Sequence, residues 1–224
     1  MNIASFIDHT ILKPTTTIQE VENCCREAVE YGFAAVCIPP PFVKRVATIL
    51  EPTEIKVATV IGFPFGYSAT EAKMAETVLA LVDGADEIDM VINLVALRMN
   101  DWVFLSKEVA LLTEVVHKKG KLIKVIIESG ILTEEEIINC CQLFGPLGID
   151  FMKTSTGYAE KGASVAAVQL MRTNLPSTVR IKASGGVRDF EFAKDLIKAG
   201  ATRLGCSASV AIVGGEKADA AAPY

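Results

Sequence analysis

Two histidines, one tryptophan and no CxxC pair occur in the 224 residues, and aromatic side chains make up 7% of them. His9 and His117 have no partner at metal-ligand spacing; His117 precedes Lys118-Lys119-Gly120, which reads as a positive helix end and its glycine cap. The six cysteines fall into two adjacent pairs, Cys24-Cys25 and Cys140-Cys141, and the single Cys37 and Cys206. This pattern suits neither a disulfide framework nor a zinc site, and it predicts small buried thiols in a reducing compartment. No metal and no organic cofactor is expected. No apolar run approaches the ~20 residues of a membrane span, and Met1-Asn2-Ile3-Ala4-Ser5 lacks the regions of a signal peptide, so the expectation is a cytoplasmic enzyme without a membrane partner. A basic footprint is also missing. The formal net charge is -5, which argues against non-specific nucleic-acid binding and leaves any anionic ligand to be bound locally. GxxxxGK(S/T), HExxH and GxSxG are absent; Gly205-Cys206-Ser207-Ala208-Ser209 misses the last by its final residue.

What the chain does have is apolar residues, half of the total, enough for a sizeable core in one domain spanning 1–224. Short apolar runs alternate with helical stretches. Thr17 with Glu20, Ser68 with Glu71, and Thr133 with Glu136 read as capping boxes that open three of the helices. Gly32, Gly84, Gly120, Gly148 and Gly200 each close a helical stretch a few residues before a strand, giving a unit close to 28 residues, a length that suits one strand and one helix. Eight such units, with near-continuous apolar strands, predict an α/β fold, a single (β/α)8 TIM barrel with parallel strands and a short flexible C-terminal tail over 214–224. The absence of a GxGxxG fingerprint weighs against an open doubly wound sheet.

Phe151-Met152-Lys153-Thr154-Ser155-Thr156-Gly157 places a lysine inside a strand that would otherwise be apolar. An ammonium in that position must pair, snorkel to water or give up its proton, and the last option makes a nucleophile. A lysine paired with Asp89, or reaching the rim, accounts for Lys153 equally well by itself. Lys182 in the next strand tips the balance, because two neighbouring ammonium groups are costly unless one is neutral. Counting five residues beyond four of the repeat glycines lands on Cys37, Asp89, Lys153 and Gly205, so Asp89 and Lys153 are expected at one level near the C-terminal mouth, where barrel active sites lie. Asp8, Lys124 and Glu128 read as rim residues or as charges facing the helix layer, with no chemistry assigned. Ser184-Gly185-Gly186-Val187 and Gly205-Cys206-Ser207 are glycine and hydroxyl loops opening helices after strands seven and eight, the usual place for a phosphate in this fold.

Asp8-His9-Thr10, the segment Gly84 to Asn93, Lys124 to Glu128, Lys153-Thr154-Ser155-Thr156-Gly157 and Lys182-Ala183-Ser184-Gly185-Gly186-Val187-Arg188 together resemble the motifs of the deoxyribose-phosphate aldolases over nearly the whole chain. The resemblance implies a class I aldolase on a barrel that cleaves 2-deoxy-D-ribose 5-phosphate to acetaldehyde and D-glyceraldehyde 3-phosphate. It implies Lys153 as the Schiff-base nucleophile, with Asp89 and Lys182 in proton transfer; the glycine and hydroxyl turns make Gly157, Gly185, Gly186, Gly205 and Ser207 the expected substrate and phosphate contacts. It also implies a proton-transfer role for a terminal tyrosine, here Tyr224, where composition alone reads a disordered tail. Cys206 and Ala208 depart from the family's last loop, and Tyr158-Ala159-Glu160-Lys161 is more charged than its usual glycine-rich run. A homodimer is the default assembly. Two other readings stand beside this one: a different lysine-dependent phosphosugar aldolase of transaldolase type, and a non-catalytic phosphosugar-binding barrel.

Overall fold

In the computed structural model, which describes residues 2–215, eight parallel strands close into a barrel in sequence order. They are β1 (Ile7–Thr10), β2 (Ala35–Ile38), β3 (Lys56–Ile61), β4 (Glu87–Val91), β5 (Leu122–Ile126), β6 (Phe151–Lys153), β7 (Arg180–Ser184) and β8 (Arg203–Cys206). The covering helices are α1 (Ile18–Tyr31), α2 (Val43–Leu50), α3 (Thr70–Val82), α4 (Leu94–Arg98), α5 (Trp102–His117), α6 (Glu134–Phe144), α7 (Val165–Asn174), α8 (Phe190–Lys198) and α9 (Ser209–Gly214). Strands of three to six residues with almost no exposed position match the near-continuous apolar runs in the sequence, since a parallel sheet inside a helical shell hides both its faces.

The helix starts show which local signals decide. Thr17 and Thr133 form complete capping boxes with Glu20 and Glu136. The expected box at Ser68 does not form: α3 begins one residue later, with Ala69 at the cap position and no side-chain bond to the first turn. Short α4 is an addition, held at its start by Asn93, whose side chain accepts from the N–H groups of Val95 and Ala96. Gly32, the first of the repeat glycines, stands in the left-handed conformation at φ 68° and terminates α1, a position an L side chain rarely adopts.

The register fixes what points inward. Followed once round the sheet, strand pairing returns to β1 eight residues from where it began, a shear of eight. Side chains from alternate strands then share levels. Cys37, Asp89, Lys153 and Gly205 form the upper layer, as the glycine count expected; Asp8, Ala58, Lys124 and Lys182 form the middle one; Ala35, Glu87, Phe151 and Arg203 form the lower one. Among the described residues, no helix is long and apolar enough to cross a membrane.

Candidate active site

Each of these layers holds at least two charged side chains, and the middle one three, an unusual filling for a barrel core. Asp89 Oδ2 accepts from Lys153 Nζ and from Lys182 Nζ, each at 2.7 Å, while its Oδ1 accepts from Lys124 Nζ at 2.6 Å. Lys182 also donates to Asp8, whose other oxygen accepts from Arg203 Nη1 at 2.6 Å. Lys124 reaches Glu87 at 2.6 Å, and the Arg203 guanidinium spans Glu87 and Asp8. Phe151 floors the cluster with the guanidinium carbons of Arg180 and Arg203 at 3.9 and 5.4 Å from its ring centroid. The facing strands supply small apolar groups, Ala35, Cys37 and Ala58, so the interior is divided between an uncharged side and a charged one.

Charge counting then selects one member. Four basic side chains, Lys124, Lys153, Lys182 and Arg203, meet three carboxylates, Asp8, Glu87 and Asp89. Releasing one proton balances the set. Burial pushes Lys153 below the usual lysine range, with Asp89 opposing and Lys182 adding to the effect. Burial acts on Lys182 too, but there Asp8 and Asp89 outweigh it and hold the ammonium well above its ordinary value; for Lys124, Asp89 and Glu87 overcome burial and raise it. Asp89 and Asp8 resist burial through the surrounding cations and are held well below the carboxylate range. Lys153 is also the one lysine of the three with any solvent contact, at 2% exposure against zero for Lys124 and Lys182. The arrangement therefore presents a lysine that deprotonates readily, beside a carboxylate and a second lysine that stay charged, at the upper end of the cluster.

The family model for the DeoC/LacD family aldolases matches residues 3–212. The chain belongs to that family. It is 49% identical over 214 residues to the deoxyribose-phosphate aldolase of Thermoanaerobacter sp. (strain X514), covering 95% of this chain and 96% of that one. It is equally similar, 49% over 217 residues and 97% of each chain, to deoxyribose-phosphate aldolase 1 of Bacillus licheniformis. Among solved structures, a putative deoxyribose-phosphate aldolase from Coccidioides immitis superposes with a TM-score of 0.91 at 40% identity, covering 95% of this chain and 85% of that one. The deoxyribose phosphate aldolase of Aeropyrum pernix, described as tetrameric, gives 0.89 at 31% identity, with 95% and 89% covered.

Other residues of interest in this family member sit around the mouth. Gly157, Gly185 and Gly186 all have positive φ, in the turns that follow β6 and β7. Gly205 lies in the upper layer, and a Cβ there would come within 3.1 Å of Lys182 Cε and 2.8 Å of Ser184 Cβ. The lack of a side chain at 205 makes room for Lys182. Ser207 is exposed in the turn after β8, and Tyr224 lies outside the described residues. Sequence reasoning set Asp8, Lys124 and Glu128 aside, and the structure corrects the first two. Asp8 and Lys124 are buried at the centre of the cluster. Glu128, at φ 56°, accepts from the backbone N–H and the hydroxyl of Thr156, anchoring the turn that follows Lys153; burial raises its pKa against those bonds. Glu87 and Arg203 were missed as well. The available signal was parity: Glu87 and Asp89 are two apart in one strand, so both must face the same side as each other.

Proposed function

We propose that the chain is a class I deoxyribose-phosphate aldolase, cleaving 2-deoxy-D-ribose 5-phosphate through a Schiff base on Lys153. The observation that carries this reading is the excess of one base over the buried carboxylates, with burial lowering Lys153 while its neighbours hold their charge. Neutral Lys153 adds to the C1 aldehyde of the open chain, and loss of water leaves an iminium. Removal of the C3 hydroxyl proton sends the C2–C3 electron pair toward the iminium nitrogen, releasing D-glyceraldehyde 3-phosphate and leaving an acetaldehyde enamine. Protonation at C2 and addition of water then free acetaldehyde and the lysine. Asp89, with Lys182 and a water, is the acid/base group; its depressed pKa favours a proton that passes through it over one that rests there. Tyr224 is assigned the protonation at C2.

The phosphate is assigned to the turns at Gly157, Gly185-Gly186 and Gly205 to Ser207, where backbone N–H groups at the barrel rim provide donors. The enzyme acts in cytoplasmic deoxyribose breakdown as one barrel domain. It works as a homodimer: Leu79 and Val82 on α3, Met99 just after α4 and Val103 on the neighbouring α5 are each more than 60% exposed, an apolar concentration that suits a self-complementary face.

Reduction with borohydride in the presence of acetaldehyde, followed by peptide mapping, tests the reading. An ethyl adduct on Lys153, lost in Lys153→Leu, is expected; an adduct on Lys182 would overturn the assignment. Sedimentation velocity tests the assembly, since Leu79→Glu should convert a dimer to monomer.

A further inference from the structure

Tyr158 has no part in the chemistry above, yet its side chain occupies a singular place. It is rooted just after β6. Its Oη donates to the carbonyl of Leu12, beyond the end of β1, at 2.8 Å. Its ring meets Phe63, beyond the end of β3, edge-on, with centroids 5.4 Å apart and planes at 86°. In the closed barrel, β7 and β8 separate β6 from β1, and β4 and β5 separate it from β3. A side chain that starts after β6 and touches both of those loops lies across the opening, since no route along the wall reaches them.

What lies under the ring is the reacting end of the site. Leu12 packs with Ala35, Cys37, Ala58 and Val60, and Phe63 packs against that set; Cys37 shares a layer with Lys153. The root of the tyrosine is fixed. Its backbone N–H donates to Thr156 Oγ1 at 3.0 Å, and Glu128 holds Thr156 from below. Side-chain rotation, with the single Oη–Leu12 hydrogen bond to break, is therefore the way the ring leaves the opening. Leu12 and Phe63, the two residues the tyrosine touches, also line a cavity of about 290 Å³ with Pro39 and Val60, just below the range for ligand sites and ample for a two-carbon aldehyde.

We propose that Tyr158 is a gate across the mouth, latched to Leu12, that determines which aldehydes reach Lys153 by their size. A two-carbon aldehyde passes beside the closed ring, whereas a five-carbon phosphorylated chain requires it to swing out. The inference rests on the aldolase reading.

Single-turnover borohydride trapping provides the test, comparing 2-deoxyribose 5-phosphate with acetaldehyde in the wild type, Tyr158→Phe and Tyr158→Ala. Tyr158→Phe keeps the ring and loses only the latch. A neutral hydrogen bond shifts an equilibrium by about fivefold, so the ratio of sugar-phosphate to acetaldehyde trapping rates should rise about fivefold in Tyr158→Phe and further in Tyr158→Ala. An unchanged ratio removes the gate. A falling ratio also overturns it, because Tyr158 would then be holding the substrate. Thermal unfolding checks that each variant is folded, and Tyr158→Phe carries the result if Tyr158→Ala does not fold. Wild-type protein that gives no adduct with either aldehyde sinks the aldolase reading and the gate together, while Lys153 adducts with an unaltered ratio sink the gate alone.

Discussion

Replacing Lys182 by leucine isolates the electrostatic basis of the site. Lys153 and Lys182 donate to the same Asp89 oxygen at 2.7 Å each, so their nitrogens are no more than 5.4 Å apart. At that separation, with an effective dielectric constant of about 20, two unit charges repel by about 3 kcal/mol, a factor on the order of a hundred in the proton equilibrium of Lys153. The substitution removes that repulsion. It also leaves Asp8 and Asp89 with less positive charge around them, and both carboxylates then favour a protonated Lys153 more strongly. The two effects have the same sign. The pH at which Lys153 becomes trappable by acetaldehyde and borohydride should therefore move up, and the trapping rate at pH 7 should fall about a hundredfold. The pH profile is the observable, because the lysines titrate as a set. A profile that rises at the wild-type pH, at near-normal rates in a folded variant, would refute the like-charge argument.

Lys153→Met should stabilise the protein, since it replaces a buried amine, whose charged form would leave the cluster one positive charge in excess, with an apolar side chain; the denaturant midpoint should increase by the equivalent of about 0.5–2 kcal/mol, and a decrease would contradict the charge count. Lys124→Met has the opposite expectation: it strips a partner from Asp89 and Glu87 in a fully buried setting and should cost about 3–5 kcal/mol in unfolding measurements. Asp8 and Asp89 have folded pKa values below their unfolded ones, so the stability they contribute is present above about pH 4 and is lost as pH falls through the folded values. Asp8→Asn should accordingly flatten the acid limb of stability against pH, and an unaltered limb would show that Asp8 is not linked. Deleting Tyr224 should leave Lys153 trapping intact and slow exchange of the acetaldehyde methyl protons with deuterated solvent; wild-type exchange would return the terminus to a plain tail.

The barrel was legible because its signals repeat. Alternating apolar runs and helical stretches marked the eight strands, glycines closing five of the helices supported a unit near 28 residues, and a common offset from four of those glycines located the upper layer of the interior, Cys37 to Gly205. Ser68 failed as a cap because a serine three residues before a glutamate is compatible with more than one helix start, and the chain takes the later one, at Thr70. Asp8 and Lys124 were misplaced for a different reason. A charge flanked by apolar residues within a strand looks the same whether it faces the helices or the barrel interior, and only the register, through the shear, tells the two sides apart. Glu128 gave no local sign of its left-handed backbone.

The buried charges are not mixed along the chain. Every carboxylate of the cluster comes from β1 or β4, and every base from β5 to β8. Cut between β4 and β5, the barrel would yield an N-terminal half with an anionic inner face and a C-terminal half with a cationic one. Neither half could close its interior alone, because each would strand several unpaired ions in a nonpolar setting. Together they would attract, more strongly at low salt than at high. The chemistry that tunes Lys153 thus also works as a lock between the first and second halves of the polypeptide: two separately expressed fragments should reconstitute only with each other, and half-barrels of like charge should not join.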